Sequence, residues 1–536
     1  MKNNVNEHIT LLTPEYDYIG GGIGSGKSFQ AMCMTVAREM ENFLYVAPTH
    51  KLLEELLDDY RTHEEIDPED VKDVVRIDST TIDEDSKVKD EVLKLINNTE
   101  SNSGKVVMLT TTTFLTVVDD IEEQGGWNII LDEAFEPIKP LVGKVNQVEM
   151  LTSYLDFSDT DNVKASIPKD ELKEVIKNDV AISDAIKQVF KDVLSPVKTV
   201  ALATPSVISK LKKGKDDKEG NSQIAIVSYM NPDCLKGFKE VLFMAALFET
   251  TILYLIWKAS NIQFSKHRWF LQDGHKLRDV HKNKSKYISI GYLLDDEDYS
   301  SSRNFYRSYD TGKVLNKKVR SKLVIHELID QANAYLSINP YLISYNNWVK
   351  GDPLKGKQRA IKIPAMAHGL NLYQHINDMA CLITTNPYPQ VAEWLSRTYE
   401  LDKAYVNQVY RIQTIYQALG RTSIRDAGND EDKIWLVASK SDAEFLYQLF
   451  DLKAEWLGKV GSMNKIPRPP AEPKPTNHPD WKKTKQRIKN VKTNIRNWDE
   501  QGKDTGVWKT ELKQLDDRLY HIKLEVQMEL TATQAA

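Results

Sequence analysis

The sequence predicts an α/β protein: two tandem parallel-sheet blocks, a helical insertion and a C-terminal helical hairpin. Three observations carry this reading. Short apolar runs alternate with longer stretches of helical period through most of the 536 residues, the pattern of strands joined by crossover helices. The alternation breaks off near residue 138 and resumes near 286. A proline-rich run at 465–479 then separates both blocks from a tail with its own helical periodicity, as a stiff, extended linker does.

In the first block the buried-strand candidates are YDYIG (16–20), NFLYVAP (42–48), KVVMLTT (105–111) and WNIILDEA (127–134), with helical stretches at 28–40 and 51–60. An insertion occupies about 138–240, with acidic helical sequence at 169–193 and a charged loop at 210–223. The most apolar run, 241–257, is interrupted by Glu249 and is shorter than a membrane span requires, so it reads as a buried strand leading into a helix. The second block offers strands at 286–294, 340–347, 359–366, 379–386 and 433–439. The expected divisions are 1–250, 251–460, the linker 465–479 and the tail 480–536.

Composition narrows the function. The apolar share is 41% and the charged share 28%, as in globular proteins. With a net charge of −6, any contact with nucleic acid must come from local basic surface. Cys33, Cys234 and Cys381 lie far apart without CxxC spacing, which argues against a zinc site or a disulfide framework. The N-terminus lacks the apolar core of a signal peptide. A cytoplasmic location without membrane contact is expected, in the host cytoplasm if the protein is viral.

The chemistry begins at YDYIGGGIGSGKSFQ. Gly21, Gly26, Lys27 and Ser28 fit G-x-x-x-x-G-K-[ST], between a strand ending near Ile19 and a helix starting near Lys27. Backbone N–H groups of Gly21, Gly22, Gly24, Ser25 and Gly26 would face phosphate oxygens, helped by the helix N-terminus. Lys27 would reach the β- and γ-phosphates of ATP, and Ser28 would ligate Mg²⁺. In IILDEAFEP, Asp132 and Glu133 end an apolar strand, where open α/β sheets bind ligands. Asp132 would hold the Mg²⁺ through a water, and Glu133 would take a proton from the attacking water.

Asp132-Glu133-Ala134-Phe135 resembles the DEAD/DEAH box of superfamily 2 helicases, and other stretches follow in that family's order. VAPTHKLLEEL (46–56) and LTTTTFL (109–115) resemble its nucleic-acid-contacting segments, which implies contacts from Pro48, Thr49, His50, Thr110, Thr111 and Thr112. HGLNLY (368–373) resembles the motif joining ATP to the nucleic-acid track, implying roles for His368, Gly369 and Asn371. YQALGRTSIRD (416–426) resembles Q-x-x-G-R-x-x-R, implying that Gln417, Arg421 and Arg425 face the triphosphate. A guanidinium there stabilises transition-state charge. Arg425 follows Arg421 by four residues, where the family usually has three, and His368 stands where arginine is common. The family's S-A-T segment matches 242–249 better than 200–206, because the former ends a strong strand. No adenine-reading glutamine motif precedes the phosphate loop.

The resemblance is closest to helicases of bacteriophages and mobile elements. It implies two RecA-like domains of the P-loop NTPase class clamping MgATP, a nucleic-acid partner (single-stranded or duplex, DNA favoured over RNA), and monomeric action. Two other readings stay open. A viral DNA-packaging ATPase would need a metal nuclease site, for which Asp295, Asp296, Glu297 and Asp298 are candidates. An ATP-switched protein could load a partner through the tail.

In that tail, seven basic residues (Lys482, Lys483, Lys485, Arg487, Lys489, Lys492, Arg496) lie between Trp481 and Trp498, and no acid falls between Asp480 and Asp499. A nucleic-acid grip, a solvated outer helix face and a protein-partner surface all fit this run. Ile488, Val491, Ile495 and Trp498, then Leu512, Leu515, Leu519, Ile522 and Val526, recur at helical spacing on either side of 501–506, predicting two helices.

Overall fold

A computed structural model describes residues 15–62, 73–81, 87–133, 138–144, 148–178, 182–205, 223–296, 299, 324–349, 352–364, 372–461, 479–499 and 505–535. The chain divides into two compact units: Met1–Ser308 with Leu323–Ser462, and Tyr309–Lys322 with Met463–Ala536.

The first unit opens with strands β1 (Glu15–Ile19), β2 (Asn42–Ala47), β3 (Val74–Arg76), β4 (Val106–Thr110) and β5 (Trp127–Asp132). The helices α1 (Lys27–Ala37), α2 (His50–Thr62) and α3 (Thr111–Val117) lie among them. Next come β6 (Ile138–Lys144), the short pair β7 (Leu155–Asp156) and β8 (Lys164–Ala165), β9 (Lys198–Leu202) and β10 (Gln223–Met230). Then β11 (Glu240–Met244) and β12 (Gln263–Lys266) return to the first sheet, whose order is β12-β1-β11-β5-β2-β4-β3. Every pairing in it is parallel.

Residues such as Leu44, Val46, Leu109 and Leu131 are fully buried, each stabilising the fold by roughly 1.5–3 kcal/mol. That explains the unbroken apolar runs: a parallel sheet is covered on both faces. Register aligns the carboxyl ends. Ile19 lies opposite Met244, Met244 opposite Asp132, and Ala47 opposite Thr110. One edge of the sheet therefore presents the phosphate loop, the Asp132–Glu133 pair and both threonine segments.

The second sheet contains β13 (Ile288–Leu294), β14 (Tyr341–Ser344), β15 (Ala360–Ile363), β16 (Asp378–Cys381), β17 (Lys433–Ser439) and β18 (Glu455–Lys459), in the order β15-β14-β16-β17-β13-β18. It too is wholly parallel. Its helices α4 (Pro389–Tyr399) and α5 (Lys403–Leu419) bring Trp394, Val406 and Val409 into the apolar core that begins under the first sheet. The expected pair of parallel α/β layers is present.

Two expectations change. The first sheet takes β12 from residues beyond the division expected at 250, because the chain returns to pair beside β1 before crossing over. The insertion has its helices (Val148–Tyr154, Lys169–Asn178, Asp184–Leu194) but also an antiparallel sheet, β6-β10-β9. The 200–206 segment overlaps β9 of that sheet, away from the phosphate loop's own sheet. The charged loop 210–223 and the proline-rich run fall largely or wholly outside the described residues.

The described residues of the second unit form a helical hairpin of α6 (Pro479–Asp499) and α7 (Gly506–Ala535). Ile488 and Val491 of α6 and Ile522 of α7 are buried, as the periodicity predicted; Trp481 is buried too, whereas Trp498 of the same periodic set is exposed. Among the described residues no helix is long and apolar enough to cross a membrane.

Candidate functional site

Between Ile19 and Lys27 the backbone curls. Gly24 has φ +72° and Gly26 φ +88°, the left-handed region that glycine enters without steric cost. Gly24 is also a point of close approach, because a Cβ there would sit 2.9 Å from the Cα of Arg425. Gly26 caps α1, whose first residue is Lys27. The phosphate loop therefore ends on a helix N-terminus, whose first N–H groups have no intrahelical acceptor and suit an anion.

Lys27 Nζ donates to the Gly22 carbonyl at 2.9 Å and approaches Ser25 Oγ at 3.4 Å. Burial pulls the ammonium down to about 8, opposed by Asp132 and Glu133. Asp132 accepts hydrogen bonds from Ser28 Oγ at 2.8 Å and from Tyr45 Oη at 2.6 Å. Its own burial raises its pKa. Glu133 sits at φ +65°, rare for a residue with a side chain. Its N–H donates to the Met244 carbonyl at 2.7 Å, which holds the strained turn at the end of β5. Strain of this kind gathers at functional sites.

The opposite wall comes from the second sheet. Arg421 follows Gly420, which caps α5, and Arg425 ends the short helical turn Ser423–Arg425. Arg421 is buried, and its Nε has no hydrogen-bond partner among the described residues. Burial pulls this guanidinium down to about 10, with the charge of Arg425 adding to the effect. Arg425 Nε donates to Gly420 O at 2.6 Å. Burial lowers its pKa as well, while Glu133 and Glu55 oppose the shift. The buried Tyr416 accepts the Ile23 N–H at 3.1 Å and hydrogen-bonds His281.

A cavity of about 260 Å³ lies between these walls. Gly24, Ser25, Gly26, Lys27, Ser28, Asp132 and Glu133 line one side, and Gln417, Arg421 and Arg425 the other. Gly21 and Gly22 sit in the same loop and pack against Leu277, Val280, His281 and Tyr416. The donor set suits a triphosphate with a divalent cation. Ser28 and Asp132 are already within hydrogen-bond distance of each other, and Lys27 and two guanidiniums surround the space. Lys27, Arg421 and Arg425 outnumber Asp132 and Glu133 in these walls, and an uncompensated buried cation is unfavourable unless an anion joins it.

Three site residues went unrecognised in the sequence. Tyr45, read as strand core, orients Asp132. Gln374 lines the cavity from beyond β15. Arg278, in the connection between the sheets, donates to Gly24 O and, at 3.5 Å, to Arg425 O. Only Tyr45 left a trace, as a hydroxyl in an otherwise apolar run. The 242–249 segment adjoins the site, with Ala246 in the cavity wall.

Away from the cavity, Pro48 and Thr49 are half-buried and His50 is exposed. Thr49 Oγ1 accepts the Leu52 N–H at 3.2 Å, and His50 Nδ1 lies 3.2 Å from buried Asp78. Thr111 is half-buried and Thr112 exposed. Thr110 departs from the expectation of a free phosphate donor. It is buried, and its hydroxyl caps α3 by accepting the Thr113 N–H at 3.2 Å. His368, Gly369 and Asn371 lie outside the described residues. The acidic run shows protein contacts: Asp295 pairs with Lys459 at 2.7 Å, and Asp296 accepts the Ser441 N–H at 3.0 Å. Glu297 and Asp298 lie outside the described residues.

No protein-family model matches the chain, and no curated protein matches it. Among solved structures, the chain is similar to S. cerevisiae Dbp5 bound to RNA and ADP BeF3, at 9% identity and a TM-score of 0.30, with 83% of this chain and 85% of that one covered. It is similar to the DEAD-box helicase Mss116 bound to ssRNA and UDP-BeF at 10% identity and 0.32, covering 91% and 78%. RecG bound to a three-way DNA junction gives 10% identity and 0.31, covering 82% and 42%.

Proposed function

We propose that the chain is a nucleic-acid-dependent ATPase of the superfamily 2 kind, similar to those of bacteriophages and mobile elements, that moves along or unwinds nucleic acid, DNA before RNA. One observation carries the reading. Arg421 and Arg425 from the second sheet share a cavity with Lys27, Ser28, Asp132 and Glu133 from the first. A cleft built in this way completes its charge only when it is shut, and opening it on product release turns hydrolysis into movement.

In this reading Ser28 and Asp132 hold Mg²⁺, which would neutralise phosphate charge. Lys27 and the loop N–H groups seat the phosphates, Glu133 accepts the proton of the attacking water, and Arg421 and Arg425 face the transferred phosphoryl group. Pro48, Thr49, His50, Thr111 and Thr112, on neighbouring strand ends, face the nucleic acid. The packaging-enzyme reading is weaker, because Asp295 and Asp296 already engage protein donors.

The test is ATP turnover with and without single-stranded DNA and RNA. Turnover is expected to rise with a strand and to vanish in Lys27→Ala. Glu133→Gln should keep nucleotide binding and lose hydrolysis by about 10²-fold or more. Turnover indifferent to both strands and to Lys27→Ala would overturn the proposal.

A further inference from the structure

The tail's basic run becomes specific once α6 is folded. Its apolar face (Trp481, Thr484, Ile488, Val491) is buried, and its nearest partner is α7. Two ion pairs tie the hairpin across its helices: Arg487 to Glu511 at 2.6 Å and Arg518 to Asp480 at 3.1 Å. Lys485, Lys489 and Lys492 are different. They stand at i, i+4 and i+7 and so share one flank of the helix. All three are exposed, and among the described residues none has an ion-pair partner. Lys485 Nζ lies 5.2 Å from the Trp481 ring, which supports its stem.

We propose that Lys485, Lys489 and Lys492 form a second nucleic-acid site that grips the phosphate backbone of one strand independently of sequence. The dimensions fit. Seven residues of helix span about 10 Å, and one strand of a duplex carries a phosphate about every 3.4 Å, so three lysines meet about three phosphates. Like charges kept this close without an acid cost stability unless a polyanion joins them. A membrane surface is the poorer occupant. A helix that lies on lipid needs its apolar face free, and here that face is packed inside the hairpin. The inference rests on the proposed function, adding an anchor outside the ATP-driven contacts. It would keep the protein near its track without taking part in hydrolysis.

The test uses the full chain with Lys485, Lys489 and Lys492 all changed to glutamine, and labelled oligothymidylate titrated over a series of salt concentrations. Three lost phosphate contacts should lower the slope of log affinity against log salt by about 2, since each contact on a single strand contributes roughly 0.7. Affinity at low salt should fall at least tenfold, and kcat for ATP at saturating strand should not change. Arginine at the three positions should restore the slope, which separates lost charge from a damaged hairpin. Glutamine at Lys509 and Lys513 of α7 should leave the slope unchanged. An unchanged slope in the triple variant overturns the proposal, as does an equal loss in the α7 control. So does loss of binding to anionic vesicles with strand binding intact. Wild-type protein that binds the strand without faster ATP turnover would sink the proposed function and leave the stripe standing.

Discussion

Arg278 shows how one residue joins both walls of the cleft. Its N–H donates to Ser25 O at 3.0 Å, and its guanidinium donates to Gly24 O and to Arg425 O. The loop proposed to seat phosphate and the loop that carries the arginines thus share a single side chain. A charge-assisted hydrogen bond contributes about 1.5 kcal/mol or more, equivalent to about tenfold in the population of the closed arrangement. Arg278→Ala is therefore expected to raise KM for ATP about tenfold with a smaller change in kcat, measured by steady-state turnover. Arg278→Lys should restore part of it, because both carbonyls are reached from one nitrogen, Nη2, and an ammonium also offers several donors. An unchanged KM in the alanine variant would show that the contact has no functional weight. Residues at this scale were legible in the sequence where chemistry restricts the choice. Lys27, Ser28, Asp132 and Glu133 stand at fixed places in a strand–loop–helix pattern. Arg278 and Gln374 act through the position the fold gives them, and no spacing rule marks such residues in advance.

Ion pairs between elements help hold the first sheet together. Arg38, just beyond α1, meets Glu240 at the start of β11 at 2.8 Å, and Glu240 also pairs with His267, which follows β12. These partners hold the Glu240 carboxyl down to about 2 despite its burial. A carboxylate lowered in the folded state stabilises the fold at pH above its unfolded pKa and loses that contribution as pH falls through its folded value. Glu240→Gln should thus cost about 3 kcal/mol near pH 7. The difference from wild type should shrink as pH falls from about 4.5 towards about 2. Denaturant midpoints of the two proteins across that range check it, and a constant gap would refute the assignment. The edge strands of both sheets show why part of the fold escaped the sequence reading. The central strands β2, β4 and β5 are buried throughout and read as apolar runs. The edge strands β3, β12 and β18 have three to five residues, none of them buried, so no run announces them. In the insertion, β10 is apolar enough to show, but its antiparallel partners carry Lys139, Pro140, Lys144 and Lys198, which broke the pattern.

Across the whole first unit, α5 would link nucleotide to nucleic acid in the proposed function. Its Val406 and Val409 lie in the core beneath the first sheet, while its far end leads into Arg421 and Arg425. Midway, Gln413 Nε2 donates to Leu247 O at 3.2 Å and to Thr250 Oγ1 at 2.8 Å. That segment follows Met244, whose carbonyl takes the Glu133 N–H, and includes Ala246 in the cavity wall. A shift at the strand ends proposed to face nucleic acid would therefore reach α5 through two hydrogen bonds, without passing through the nucleotide. Coupling between sites is commonly 1–3 kcal/mol, and losing most of it is equivalent to about tenfold. Gln413→Ala is expected to leave basal ATP turnover near wild type and to cut its stimulation by single-stranded DNA about tenfold. The informative quantity is the ratio of stimulated to basal turnover. If both rates fall together, Gln413 only stabilises the packing of α5, and the route from track to arginines runs elsewhere. If the ratio alone collapses, the segment after β11 is the joint through which binding a strand reaches Arg421 and Arg425.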